Sequence, residues 1–156
     1  MHANAERVQA ALRAAGCAAE VVELADSART AAEAAAALGV EVGQIANSLV
    51  FVADGEPLLV MTSGANRVDT ARVGALLGAT VGRADPETVR AATGFPIGGV
   101  APVGHPAPLR VLVDEDLLRY DAIWAAAGTP HTVFPTTGAE LVRITGGTAA
   151  AVRAER

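Results

Sequence analysis

Apolar residues recur with helical spacing in five segments of the chain. In the first, over residues 6–15, they fall on one side of the segment, and Gly16 provides a natural stop. The start of the second is sharply defined, because the Thr30 hydroxyl and the Glu33 carboxylate can each accept a free backbone N–H, and Gly39 closes the helix. The remaining helices are predicted over residues 69–77, 85–93 and 137–144, each opening at a capping residue.

Between these helices lie short runs rich in β-branched and aromatic residues, which are typical of strands. Residues 48–53 and 58–62 are joined through Asp54-Gly55, and this arrangement predicts a hairpin with a tight turn. Four more strands are predicted over residues 19–24, 80–83, 109–113 and 123–127.

Helices and strands therefore alternate along the chain, with no repeat, linker or low-complexity block between them. This order predicts an α/β fold with mixed α+β character: a curved mixed sheet or partial barrel with helices packed outside. We expect one domain over residues 1–156, while the exact topology stays open.

Composition narrows the classes of protein. Hydrophobic residues make up 51% of the chain but aromatic residues only 3%, so the predicted core is built mainly from alanine, valine and leucine. Cys17, the single cysteine, excludes an internal disulfide and a multi-cysteine metal site, and we expect it to be packed. With no evident signal peptide or membrane-spanning run, we expect a soluble, cytoplasmic protein.

The charge and the histidines limit the possible ligands. A formal charge of -5 argues against broad binding to a phosphate backbone, so any nucleic-acid contact should be small and local. His2, His105 and His131 show no metal-ligand spacing, and we expect neither a metal nor another cofactor. We expect His105 to lie on the surface.

The segment Thr93–Pro106 is too irregular for a helix or an ordinary strand. Gly98 and Gly99 would let the backbone approach a ligand and turn its N–H groups inward, while the prolines stiffen the loop. Such a loop could form an oxyanion hole or an anion nest. By itself, a turn rich in glycine and proline is usually just a connection, and this one lacks the spacing of a P-loop or a Rossmann fingerprint.

Five blocks of sequence carry a resemblance to a known family, and their order and spacing are more specific than any one of them. In order, the blocks lie at 29–35, 43–51, 93–95, 98–104 and 127–131. Together they resemble the YbaK/ProX family of aminoacyl-tRNA editing domains, which hydrolyse mischarged tRNA either as insertions in prolyl-tRNA synthetases or as free-standing proteins.

The resemblance implies a trans-editing deacylase that maintains translation fidelity by hydrolysing the ester of a tRNA carrying the wrong small amino acid. Water would attack the ester, the terminal ribose hydroxyl of the tRNA would help to activate it, and backbone amides of a Gly-x-x-x-Pro loop, here Gly98 to Pro102, would hold the oxyanion. The implied partners are the aminoacyl-tRNA acceptor end and, as a candidate, a prolyl-tRNA synthetase. The implied catalytic residues are Gly98, Gly99, Ala101 and Asn47, and the implied substrate-binding residues are Arg29, Thr30, Ser48, Pro102, Gly128 and His131.

Two positions depart from the family pattern. Asn47 stands where active members carry a lysine, and Ala101 stands where many relatives have serine or threonine. An amide still donates a hydrogen bond, but a neutral bond contributes roughly 0.5–1.5 kcal/mol against about 1.5–3 kcal/mol for a charged one. Asn47 thus leaves open an active or weakened deacylase and a tRNA-binding protein that has lost the reaction. The loop itself leaves a third interpretation open, a small-molecule esterase or amidase that uses the same loop.

Several side chains have an ordinary structural interpretation beside the functional one. Arg29, Arg67 and Arg72 are candidate contacts to tRNA phosphates, or solvated charges on helices and loops. Trp124 and Phe51 lie in strand-like runs and are interpreted as core residues. His131 is either a pocket residue or a histidine satisfied by local hydrogen bonds.

Overall fold

The computed structural model describes residues 1–155 as a curved, unclosed mixed sheet with helices packed against it. The strands are β1 (Val22–Glu23), β2 (Ile45–Ala53), β3 (Glu56–Ser63), β4 (Val81–Arg83), β5 (Arg110–Asp114), β6 (Ile123–Ala126), β7 (Thr132–Thr136) and β8 (Thr148–Ala150). The helices are α1 (Ala3–Ala14), α2 (Ala31–Leu38), α3 (Thr70–Leu77), α4 (Pro86–Thr93) and α5 (Gly138–Thr145). The predicted fold class is confirmed.

The predicted helix starts are made by the expected caps. The Thr30 hydroxyl accepts the Glu33 N–H at 3.1 Å, and Asp69, Asp85 and Thr137 cap their helices in the same way. The hairpin turn at Asp54–Gly55 has positive φ at both residues, as a two-residue turn between twisted strands requires. These features depend on local sequence alone.

The strand order in the sheet is β1-β7-β6-β2-β3-β5-β8, and β4 also pairs with β2. Along one edge, β2 runs antiparallel to β3 from Ala46 to Ala53. Along its other edge, β2 pairs in parallel with β6 at Ile45 and Ala46, and antiparallel with β4 at Phe51–Ala53. Between these two partners, residues 47–50 face a gap in the sheet.

The core is divided between the two faces of the sheet because side chains alternate along each strand. On β3, Leu59 and Met61 join the main cluster, which includes Phe95 and Phe134, whereas Leu58 and Val60 face a second cluster with Val73 of α3. A small third cluster joins α2 to Ile45. Cys17 is buried in the main cluster, as expected.

The structure corrects several element predictions. Strand β7 was not predicted, and it carries Pro135, a residue that normally argues against a strand interior. Strand β8 was also not predicted, because it is only three residues long and lacks apolar alternation. Strand β2 begins at Ile45 and α1 at Ala3, each three residues earlier than predicted. No helix in residues 1–155 is long and apolar enough to cross a bilayer.

Candidate functional site

Two cavities adjoin each other at the gap beside β2. The first has a volume of about 310 Å³ and lies towards α2 and β6, and the second has a volume of about 680 Å³ and lies towards α3 and β4. Residues 94–106, which follow α4, form the glycine loop. Both cavities are lined by residues 47–49 of β2 and by Ile97, Gly98 and Val100 of this loop. The loop and the open strand edge therefore form a shared wall between the cavities.

The glycine loop is anchored where it leaves α4. The Arg7 guanidinium of α1 donates to the Gly94 carbonyl at 2.8 Å and lies 4.3 Å from the centre of the Phe95 ring. Phe95 is fully buried in the main core. The loop thus leaves a fixed point before it reaches the cavities.

Close backbone packing fixes the middle of the loop. A Cβ at Gly99 would lie 2.9 Å from the Gly128 carbonyl oxygen and 3.1 Å from the Thr129 Cα, so glycine is required for the loop to dock there. Gly98 has φ +91°, a conformation that side chains of L residues rarely adopt. Both glycines therefore serve the conformation of the loop.

The amides of the loop differ in their availability. The Gly99 N–H donates to the Pro96 carbonyl at 3.0 Å and closes a turn. Within residues 1–155, the N–H groups of Gly98, Val100 and Ala101 have no hydrogen-bond partner, and Gly98 and Val100 line both cavities. Free amides beside a cavity can stabilise a developing oxyanion. Sequence reasoning did not single out Val100, because a valine within a glycine loop carries no chemical signal.

Asn47 lies in the wall that the two cavities share. Its side chain is half-buried, and within residues 1–155 its amide makes no hydrogen bond. The next residue, Ser48, also lines both cavities, and its hydroxyl contacts the Met61 sulfur at 3.2 Å. The structure thus brings Asn47 and Ser48 together with Gly98.

Arg29 and Thr30 line the first cavity at the start of α2. The Thr30 hydroxyl is engaged in capping α2, while the Arg29 side chain has no ion pair within residues 1–155. The remaining walls are mostly small or apolar, and they include Ala31, Ala34 and Trp124. Trp124, interpreted from sequence as core, is only partly buried and contributes to this wall.

Five of the predicted site residues line neither cavity, among them Gly99, which packs against Gly128. Ala101 is fully buried in the main core, and Pro102 lines a separate surface hollow. Gly128 supports Gly99 and accepts the Asn4 side-chain amide at 3.2 Å. His131 is exposed and lines neither cavity, although Thr129 and Pro130 line the first.

The expectation that His105 lies simply on the surface is wrong. Its ring is partly buried, with Nε2 2.8 Å from the Ala101 carbonyl oxygen and an edge-to-face contact with Phe95. Burial lowers the pKa of His105; the hydrogen bond to Ala101 opposes this shift, and the positive charge of Arg7 adds to it. A neutral ring that donates from Nε2 therefore braces the far end of the loop.

The charges at the second cavity are positive. Arg67 and Arg83 line it, and within residues 1–155 neither side chain has a hydrogen bond or ion pair. Arg72, which the sequence suggested as a contact to tRNA phosphates, lines neither cavity. Its guanidinium instead donates hydrogen bonds to the Arg153 carbonyl and the Glu155 carboxylate. Arg83 is a site residue that the sequence did not reveal, because only the pairing of β4 with β2 places it there.

A buried carboxylate supports the floor of the second cavity. Asp114 is fully buried and accepts from the Thr62 hydroxyl, the Asn66 side chain and the Ser63 and Asp116 backbone N–H groups. Thr62 and Asn66 line the second cavity. Within the described part of the chain, no group of three or more histidine, cysteine, aspartate or glutamate side chains could hold a metal ion.

Comparison with known proteins adds the evolutionary context. The sequence model described as "Aminoacyl-tRNA editing domain" matches residues 25–144. The chain is 30% identical over 123 residues to the uncharacterized protein YwhH of Bacillus subtilis, covering 78% of each protein. It is 40% identical over 98 residues to a proline--tRNA ligase of Nitratidesulfovibrio vulgaris, which is 62% of this chain but only 17% of the length of that ligase.

Solved structures agree with this relationship. The chain superposes with a TM-score of 0.95 and 48% identity on a protein described as a candidate trans-editing enzyme for prolyl-tRNA synthetase, covering 99% of each chain. A second structure, of the hypothetical protein APE2540, matches with a TM-score of 0.89 and 30% identity over 95% of this chain.

Proposed function

The chain belongs to the aminoacyl-tRNA editing domain family, and from this premise we propose that it is a trans-acting deacylase of mischarged tRNA. One observation carries the proposal: free backbone amides of the glycine loop meet the open edge of β2 at the wall between two cavities. A covalent nucleophile is not needed for such a site, because water can be the attacking group. We place this activity in the cytoplasm, beside the translation machinery.

The proposed reaction is hydrolysis of the ester between an amino acid and the terminal ribose. Water attacks the carbonyl carbon, and the oxyanion that forms is held by the N–H groups of Gly98 and Val100. Collapse of the intermediate breaks the ester bond and returns a proton to the ribose oxygen. Removal of a single oxyanion donor in a hydrolase costs about 10²–10³ in rate, so preorganised amides can supply much of the catalysis.

The first cavity suits a small aminoacyl group. Its volume of about 310 Å³ is at the low end for ligand sites, and alanines and Trp124 restrict its walls. A synthetase gains only about 1–3 kcal/mol from one methylene group, so small wrong amino acids escape its own selection. A second site that admits only small side chains would remove them.

Asn47 supports a second candidate function, that of a tRNA-binding protein with weak or no hydrolysis. Its side-chain amide makes no hydrogen bond within residues 1–155, and it lies in the shared wall where the family resemblance implies an ammonium group. A neutral donor would hold the substrate end less firmly than a charged one. Binding without turnover would identify this function.

Both candidates are tested by one panel of charged tRNAs. Purified protein is incubated with tRNA(Pro) charged with alanine, serine, cysteine or proline, and with tRNA(Thr) charged with threonine, and the remaining ester and the affinity are both measured. We expect faster loss of at least one small wrong amino acid from tRNA(Pro), with Pro-tRNA spared. Gly99→Val, which cannot dock against Gly128, is the control for the loop and should lose the acceleration. Absence of acceleration for every ester would refute the deacylase.

A further inference from the structure

The segment that carries Arg67 belongs to neither a helix nor a strand of the sheet. It spans residues 64–69, between β3 and α3, and the exposed Arg67 side chain lines the second cavity. A long side chain loses rotamer freedom when it binds a ligand, and a mobile backbone adds to that loss. The contacts that fix the main chain here therefore affect how well Arg67 can hold a ligand.

Residues 152–154, here called the strap, bind this segment through the main chain. The Ala154 N–H donates to the Arg67 carbonyl at 2.7 Å, and the Asp69 N–H donates to the Val152 carbonyl at 2.9 Å. These two bonds enclose a single antiparallel bridge, which gives an irregular segment the hydrogen bonds of a short strand. The backbone of Arg67 is therefore held by the strap.

The strap is itself anchored at three points. Val152 is fully buried in the second core cluster, and Val68 packs against the same cluster. The next residue, Arg153, donates two hydrogen bonds to the Asp116 carboxylate, at 2.9 and 3.0 Å. Its carbonyl accepts from the Arg72 guanidinium of α3 at 2.7 Å. The strap is thus tied to the core, to α3 and to the turn that follows β5.

Asp116 joins the strap to the residue that precedes Arg67. Its carboxylate accepts from Arg153 and also, at 2.8 Å, from the Asn66 side chain. The hydrogen bond from Asn66 lowers the pKa of Asp116, burial opposes this shift, and the charge of Arg153 adds to it. The carboxylate therefore stays ionised at neutral pH and holds both partners by charge-assisted hydrogen bonds.

We infer that Arg153 is a positioning residue, which fixes Arg67 at the second cavity through Asp116 and the strap. The inference rests on the proposed function, in which Arg67 contacts a phosphate of the tRNA end. None of the residues that line this cavity is an aspartate or glutamate, so no carboxylate of the cavity competes for the Arg67 guanidinium. A preorganised cation binds a phosphate more tightly, because less conformational freedom is lost on binding.

Amide hydrogen exchange tests the anchoring without any tRNA. The Asp69 and Ala154 N–H groups are the reporters, because each donates across the contact with the strap. We expect Arg153→Ala to speed exchange at both by roughly tenfold and to leave the amides of β3 unchanged, which also shows that the variant is folded. Arg143→Ala removes an arginine that pairs with Glu140 and lines neither cavity, and it should change neither reporter.

Affinity for uncharged tRNA(Pro) tests the link to Arg67. We expect Arg67→Ala to weaken binding by about tenfold and Arg153→Ala by about three- to fivefold. In the double variant, Arg153→Ala should add almost nothing, because the side chain that it positions is already absent. Arg153→Lys keeps a charged donor for Asp116 and should recover part of the affinity. Arg110→Ala, which removes an arginine that lines neither cavity, should bind as the wild type does.

A variant of Asp116 separates positioning from charge. Asp116→Ala removes a negative charge that lies beside Asn66 of the cavity wall, so electrostatic attraction alone would strengthen phosphate binding. Positioning predicts the opposite sign, because the strap loses the same anchor as in Arg153→Ala. We expect Asp116→Ala to weaken binding of tRNA(Pro) by about three- to fivefold.

Unchanged exchange at Asp69 and Ala154 in Arg153→Ala, additive losses in the double variant, tighter binding by Asp116→Ala, or no affinity of the wild type for tRNA would overturn the inference. Deacylation by a protein that gives any of these results would leave the proposed function intact. Faster exchange together with a non-additive loss of affinity, in a protein that hydrolyses no charged tRNA, would sustain the inference and remove the deacylase.

Discussion

At position 47, an amide occupies the wall between the cavities where the resemblance implies an ammonium group. The Asn47 side chain is half-buried, makes no hydrogen bond within residues 1–155, and lies in the same wall as Gly98 and Val100. In the proposed reaction, a lysine there would place a positive charge next to the ester and its oxyanion. The rate of hydrolysis should therefore depend on this one side chain.

We expect Asn47→Lys to raise kcat/KM for deacylation by roughly five- to tenfold, because a charged hydrogen bond exceeds a neutral one by about 1 kcal/mol. Asn47→Ala should lower it. Leu76→Lys, at an exposed position of α3 that lines neither cavity, controls for added positive charge. If Asn47→Lys leaves both affinity and turnover at the wild-type values, Asn47 does not contact the substrate.

His105 makes the stability of the fold depend on pH. Burial lowers its pKa, so at mildly acidic pH the unfolded chain binds a proton more readily than the folded one. The free energy of unfolding should then decrease as the pH falls below about 6.5, the ordinary value for histidine, and should be unaffected by this group above it.

Urea unfolding at pH 7.5, 6.5 and 5.5 measures this dependence while most carboxylates stay ionised. We expect His105→Gln, which keeps a donor for the Ala101 carbonyl, to flatten the pH dependence. His131→Gln, at an exposed histidine, should preserve it. If the free energy of unfolding changes with pH equally in His105→Gln and in the wild type, another group controls the stability in acid.

At the scale of secondary structure, local features were predictable and the gap in the sheet was not. The caps at Thr30, Asp69 and Asp85 and the Asp54–Gly55 turn each depend on a few adjacent residues. The gap arises because β4 and β6, far apart in sequence, both pair with the same edge of β2. Sequence patterns carry no information on where the pairing of β4 or of β6 with β2 ends.

The same limit applies to the site. The glycine loop was recognisable because paired glycines and prolines are locally unusual, and Asn47 was found through the order of the family blocks. Arg83 was missed because only the pairing of β4 with β2 brings it to the second cavity, and Val100 was missed because a valine within a glycine loop carries no chemical signal. Local chemistry can be read from sequence, whereas contacts between distant elements require the fold.

The end of β5 is joined to β3 and the following loop by Asp114. Replacing this buried carboxylate by asparagine introduces donors that face the existing donors from Thr62 and Ser63. We expect Asp114→Asn to lower the free energy of unfolding by about 2–4 kcal/mol. Denaturant titration measures the loss, and Asp121→Asn, at an exposed position, should change stability by no more than about 0.5 kcal/mol. A similar small effect for both variants would mean that the Asp114 network does not support the cavity floor.

At the scale of the whole molecule, an acidic protein is proposed to bind a polyanion. The formal charge of -5 repels a long phosphate backbone, while Arg29, Arg67 and Arg83 are gathered at the cavities. The attraction of phosphate by these arginines is thus confined to the cavities, while the net charge of the protein repels the rest of the backbone. A small number of phosphates at the single-stranded end of tRNA should then account for the electrostatic part of binding.

Salt dependence measures how many phosphates are involved. For single strands, the slope of log K against log salt is about -0.7 for each phosphate neutralised, so two or three contacts predict a slope of about -1.4 to -2.1. Arg67→Ala and Arg83→Ala should each make the slope shallower by about 0.7, and Arg110→Ala should leave it unchanged. A wild-type slope steeper than about -4 would require a basic surface beyond the cavities. An unchanged slope in both cavity variants would place the phosphates elsewhere on the protein, because counterion release follows the residues that neutralise them.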